Sequence, residues 1–133
     1  MADAVTSQTI QDGERKAVLK FTNISDGTGE SAVTKIDVSA LSANSAGAAC
    51  TEVAVAKIWW QCVGMGVELL NDATADTLII GLSPDSNGYH DYSDFSGIPN
   101  DAGSGKTGDV KFTTIGASST DTYTVIVEVL KSY

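Results

Sequence analysis

Gly103-Ser104-Gly105-Lys106-Thr107 is the run whose residue types and spacing come nearest to a known chemistry, the binding of nucleotide phosphates. A phosphate loop needs Gly-x-x-x-x-Gly-Lys-Ser/Thr, because its backbone amides wrap the phosphates while the helix that follows points its positive end at them. Counting back from Gly105 puts Asn100 where the first glycine belongs, and Asn tolerates a left-handed backbone. The flanks decide against the motif. Pro99 interrupts the buried strand that should feed the loop. Downstream, Val110, Phe112 and Thr114 alternate with Lys111, Thr113 and Ile115, which is the period of a strand. The run is therefore expected to be a glycine-rich connection into a strand.

The segment "PDSNGYHDYSDFSG" offers oxygen ligands at Asp85, Asn87, Asp91 and Asp94, the chemistry of a calcium loop. It lacks the EF-hand order, since Gly88 falls too early and no glutamate closes the loop, so a solvated polar loop is expected and an irregular calcium site near Asp85 to Asp94 stays open. His90, the single histidine, has no nucleophile motif beside it, and Asp91 and Asp94 do not complete a triad with it. Glu52, Glu68 and Glu128 lie in strand-like runs and are expected to face water rather than to pair as glycosidase carboxylates. Tyr89, Tyr92 and Phe95 could form a platform for stacking a sugar, or could anchor a long loop, and the second use is expected. No catalytic residue, cofactor or bound metal is assigned.

These residues must be positioned by strands. "AVLKFTNI", "AVTKIDVSAL", "TEVAVAKIWWQC", "VELL", "DTLIIGL", "DVKFTTIG" and "TYTVIVEVLKS" each read as extended, separated by Asp26-Gly27, Asn71-Asp72 and Pro84-Asp85-Ser86-Asn87-Gly88 turn chemistry. No amphipathic helix stands out. The expected fold is all-β: one domain over residues 13–133, an antiparallel β-sandwich (jelly-roll-like) or a barrel of about seven to eight strands, preceded by an N-terminal arm over residues 1–12. Strict alternation sets Val53, Val55, Lys57 and Trp59 against Ala54, Ala56, Ile58 and Trp60. The adjacent tryptophans must then point opposite ways, one into the core and one outward, so Trp59 and Trp60 are the candidate interface residues.

The chain of 133 residues suits a single domain, and 8 basic against 17 acidic residues give a formal charge of −9. Nucleic acid is excluded as a partner by that balance, because a phosphate-facing surface needs clustered Lys and Arg. No apolar run is long enough for a membrane helix, and the first residues lack the pattern of a secretory signal, so a cytoplasmic site of synthesis is expected. An extended run from Cys50 to Cys62 would hold the two sulfurs on the order of 40 Å apart, so both are expected to be reduced, structural thiols.

Three stretches carry a resemblance: "DAVTSQTIQDGERKAVLKFTNISDGTGESAVTKIDVSAL", "IWWQCVGMGVELLNDATAD", and "LSPDSNGYHDYSDFSGIPN" running into "GSGKTGDVKFTTIG". In texture and word order, over most of its length, the chain resembles small virion structural proteins of tailed bacteriophages, of the capsid decoration or cement type. The resemblance implies a non-enzymatic role on the outer face of the head, binding the major capsid protein at subunit junctions as a homo-oligomer, with a trimer favoured. It also implies that the protein is made in the host cytoplasm and carried on the virion. The N-terminal arm is the candidate docking element. The alternative is a tail- or fibre-associated module that recognises a host-surface glycan through Tyr89, Tyr92 and Phe95.

Overall fold

The computed structural model describes residues 3–133, which form an all-β sandwich of two antiparallel sheets. The described strands are β1 (Ala4–Asp12), β2 (Lys16–Asp26), β3 (Val33–Ile36), β4 (Glu52–Val63), β5 (Gly66–Asn71), β6 (Thr77–Leu82), β7 (Asn87–Asp91), β8 (Val110–Ile115) and β9 (Ser119–Ser132). One sheet has the order β1-β2-β9-β4-β7 and the other β3-β8-β5-β6, so neither closes into a barrel.

The core follows from alternation. Ala17, Leu19 and Phe21 on β2 and Tyr123, Val125, Val127 and Val129 on β9 point inward from the first sheet, and Val67, Leu69, Val110 and Phe112 meet them from the second. Phe112 sits at the centre, edge-on to Phe21 at 5.2 Å between ring centroids and 5.9 Å from Tyr123. Both thiols are buried, and burial alone pushes the Cys62 thiol up to about 11, which keeps it protonated and inert.

Three features depart from the sequence reading. Residues Ala4–Asp12 of the expected arm are the edge strand β1, paired with β2 from Ala4 opposite Ile24 to Asp12 opposite Ala17. The run from Ala32 to Leu41 is extended only as far as Ile36, after which Asp37 caps a single 3-10 turn, Val38–Ala40. Within the expected polar loop, Asn87–Asp91 is a strand, β7, hydrogen-bonded to the edge of β4.

Each end of the sandwich is tied by a buried cation. The Lys131 side chain is 0% exposed, and its Nζ donates to Asp12 Oδ1, the Gly13 carbonyl and the Ser42 carbonyl at 2.8 Å each, which joins β9 to the β1–β2 hairpin and to the loop after the 3-10 turn. At the far end Lys35 pairs with Glu30. Such groups are tolerated inside a protein only when every charge is met.

Replacing Phe112 by Ala is expected to lower the unfolding free energy in urea by about 3–5 kcal/mol, whereas Thr9→Ala on the exposed edge strand should change it by less than about 0.5 kcal/mol.

Candidate functional site

The outward side of the five-stranded sheet is organised by register into rows. Tyr89 lies opposite Trp59, Trp59 opposite Ile126, Ile126 opposite Lys20, and Lys20 opposite Gln8. On one side of this row run Asn87, Gln61, Thr124, Thr22 and Thr6, a band of amides and hydroxyls in which Thr6 and Thr22 hydrogen-bond to each other. On the other side run Asp91, Lys57 and Glu128. An apolar, aromatic row is thus flanked by a neutral polar row and by a charged one.

Trp59 and Tyr89 stack with their centroids 5.2 Å apart and their planes 27° from parallel. They stay 37% and 47% exposed, so the stack is formed without being covered. Two aromatic side chains held against each other lose little rotamer freedom when a partner lands on them, which favours binding. A shallow depression of about 160 Å³ beside them is lined by Trp59, Trp60, Gln61, Gly88, Thr124 and Ile126.

Trp60 turns the other way. It packs against the core, its indole Nε1 donates to Ser86 Oγ at 3.0 Å, and its ring lies 4.9 Å from that of His90. Opposite it stands Gly88, where a Cβ would meet the indole carbons at 3.0 and 3.1 Å. The tryptophans do point to opposite faces, but the grouping by strict alternation, Val53 and Val55 with Lys57 and Trp59, does not hold. A bulge shifts the register between Val55 and Lys57, leaving Ala56 unpaired and fully buried. Beyond it, Ile58, Trp60 and Cys62 continue the inward line that Val53 and Val55 began, and Lys57 joins Trp59 on the outward face.

The sugar platform expected from sequence is divided by the fold. Tyr89 belongs to the outward row with Trp59, whereas Tyr92 and Phe95 follow β7 and form a chain of rings with His90 and Trp60, at 5.8 Å from His90 to Tyr92 and 5.9 Å from Tyr92 to Phe95. Tyr92 is half-buried against the core and its phenol is pushed up by that burial, as expected of a loop anchor, while Phe95 is exposed. Trp59, not either of these, is the partner of Tyr89.

The oxygen ligands considered for calcium are also separated. Asp85 Oδ1 accepts from the Gly64 amide, and Asp91 Oδ1 from the Ser93 amide at the opposite end of β7. An extended strand from Asn87 to Asp91 spans about 13 Å, too far for a shared ion. Among the described residues no group of three or more His, Cys, Asp or Glu side chains has metal-holding geometry. Glu128, expected to face water, is instead nearly buried beneath Lys16 at 3.3 Å and Lys57 at 4.0 Å.

The glycine-rich run is a connection, as its flanks indicate. Lys106 Nζ binds Glu52 at 3.1 Å, Thr107 Oγ1 donates to Asp72 Oδ2 at 2.7 Å, and the chain enters β8 rather than a helix. Lys111 and Thr107 hydrogen bonds hold the Asp72 carboxyl below the usual range. Gly108, with φ at +86°, lies so close to Thr51 that a Cβ would come within 1.9 Å of its carbonyl oxygen. An open cleft of about 580 Å³ lies beside this loop, lined by Cys50, Glu52, Lys106 and Thr107 among others.

No protein-family model and no curated protein matches the chain.

If the loop is a structural connection, Gly108→Ala should destabilise the fold by more than about 2 kcal/mol through backbone strain and collision. Lys106→Ala, which breaks a half-exposed ion pair, should cost no more than about 1 kcal/mol. Chemical denaturation of the two variants gives the order, and the reverse order would contradict this role.

Proposed function

We propose that the chain is a non-enzymatic structural protein of a tailed-phage virion, a decoration or cement protein that docks on the outer face of the head at junctions between copies of the major capsid protein. The observation that carries this reading is the Tyr89-Trp59-Ile126 row, a preformed aromatic face on a rigid sheet. Aromatic residues held in place on a flat surface are the usual energetic centres of protein interfaces, and truncating one such residue commonly costs about 2 kcal/mol or more. The sequence resemblance supplies the partner and the place.

Weak single contacts suffice in this role. An oligomer, with a trimer favoured, engages several shell subunits at once, and repetition converts modest affinity into firm attachment. The net charge of −9 suits a protein on the outer surface, away from packaged DNA. Nucleic acid and membrane are not partners in this reading.

A second reading is favoured by the Asn87-Gln61-Thr124 row beside the stack. An exposed aromatic pair bordered by amides and hydroxyls also has the chemistry of a glycan platform, with stacking on the sugar face and hydrogen bonds to its hydroxyls. The platform would then be Trp59 and Tyr89 in a tail- or fibre-associated module.

The test is the copy number of the chain on purified, DNA-filled particles, by quantitative mass spectrometry against the major shell protein. A ratio set by the shell lattice is expected, with Trp59→Ala and Tyr89→Ala each lowering occupancy by roughly tenfold or more while leaving the circular dichroism spectrum unchanged. Absence from the head, or occupancy indifferent to both substitutions, would overturn the reading. A glycan-array signal abolished by the same substitutions would establish the second.

A further inference from the structure

Away from the docking face, three side chains with complementary reactivity meet between the sheets. Asn23 comes from β2, Lys35 from β3, and Glu30 from the connection between them. Asn23 is 1% exposed, and the side chains of Lys35 and Glu30 are 5% and 7% exposed. Both oxygens of the Glu30 carboxylate are in use. Oε2 lies 2.5 Å from Lys35 Nζ, while Oε1 accepts from Asn23 Nδ2 at 2.9 Å and from the Tyr123 hydroxyl at 2.6 Å. Asn23 Nδ2 also donates to Asp3 Oδ2 at 3.1 Å. Asn23 Oδ1, by contrast, is buried without a hydrogen-bond partner among the described residues.

An ion pair and an orphaned amide oxygen, side by side in a core, are poor choices for stability alone, since hydrophobic residues of the same volume do as well or better. Their arrangement has a chemical use. One carboxylate holds the amine of Lys35 and the carboxamide of Asn23 together, with one oxygen toward the nucleophile and the other toward the leaving group.

We propose that Lys35 and Asn23 condense into an intramolecular isopeptide bond, with Glu30 as the proton carrier. The ammonium of Lys35 gives a proton to Glu30, and the freed amine attacks Asn23 Cγ. A new Nζ–Cγ bond forms as electron density moves onto Oδ1. Glu30 passes its proton to Nδ2 and takes a second from Nζ. Oδ1 then restores its double bond as the Cγ–Nδ2 bond breaks, and the departing ammonia takes the second proton from Glu30 and leaves as an ammonium ion. Two protons have moved from Nζ to Nδ2, the net charge is unchanged, and Glu30 ends as the carboxylate it was at the start. No oxidant or cofactor is needed. Burial keeps out the water that would otherwise hydrolyse the amide, and a fixed geometry replaces a bimolecular encounter. Tyr123, packed on Phe112, is a positioning residue that aims the carboxylate through its hydroxyl.

The bond would join β2 of the five-stranded sheet to β3 of the four-stranded sheet, a covalent clasp across the sandwich. Such a clasp would oppose separation of the sheets.

The direct test is the intact mass of the purified full chain under denaturing conditions, set against the sequence mass with or without Met1. A mass lower by one ammonia is expected. Trypsin should then fail to cut after Lys35 and release a peptide from Phe21 to Lys57 with no backbone fragments between Asn23 and Lys35. Folded Glu30→Gln protein should keep its full sequence mass, and Asn23→Asp should lose one water instead of ammonia. A wild-type protein at full sequence mass would overturn the proposal, whether or not the variants fold. So would an ammonia loss that maps to the Asn87-Gly88 step, where a succinimide loses the same mass, or one that persists in Glu30→Gln.

Discussion

The bulge at Ala56 is the constraint on which the exposed aromatic row depends. Tyr92 donates its backbone N–H to the Ala56 carbonyl at 2.6 Å and Ile98 donates to the Val55 carbonyl at 2.9 Å, so the segment after β7 folds back over the kink and seals it. Gly97 makes that approach possible, because a Cβ there would lie 3.0 Å from the Val55 carbonyl oxygen. One inserted residue inverts the faces of the rest of β4. Without it Trp60 would leave the core and Trp59 would enter it, and a one-residue slip of this kind exchanges every buried and exposed side chain beyond it. The exposed row around Trp59 and the packing of Trp60 against the core are two results of the same insertion.

Around that strand, the sandwich is held by a conventional apolar interior and by polar ties at its ends. Lys131 binds the hairpin and the loop that cover one end, and the Glu30 group joins the two sheets at the other. The apolar layer between them supplies the bulk of the stability, because burial scales with area. The buried ions supply direction, since only one arrangement of the chain satisfies them all. Neither kind of interaction draws on the exposed Trp59-Tyr89 stack.

Seven of the strands and the sandwich class are legible in the residue pattern, because strands with one buried face alternate visibly. β1 and β7 are not, for one physical reason. Each is an edge strand exposed along almost its whole length, so neither imposes an apolar period on Val5-Thr6-Ser7-Gln8-Thr9 or on Asn87-Gly88-Tyr89-His90-Asp91. The opposed tryptophans are legible as well, since period two demands it. Which one turns inward is not, because a bulge leaves no composition signal at Ala56. Register also lies beyond the sequence, and with it the pairing of Trp59 with Tyr89 and the separation of Tyr89 from Tyr92 and Phe95. The closeness of Asn23, Glu30 and Lys35 is hidden for the same reason, as each residue alone reads as an ordinary polar position.

The measurement that bears most directly on the central claim is acrylamide quenching of two single-tryptophan proteins, Trp60→Phe and Trp59→Phe, free and mixed with purified heads lacking the chain. The account predicts that the remaining Trp59 is readily quenched in the free protein and becomes protected on the particle, while the remaining Trp60 is weakly quenched in both states. Equal quenching of the two in the free protein would contradict the bulged register. A Trp59 that stays as accessible on the particle as in solution would contradict its proposed place at a docking face.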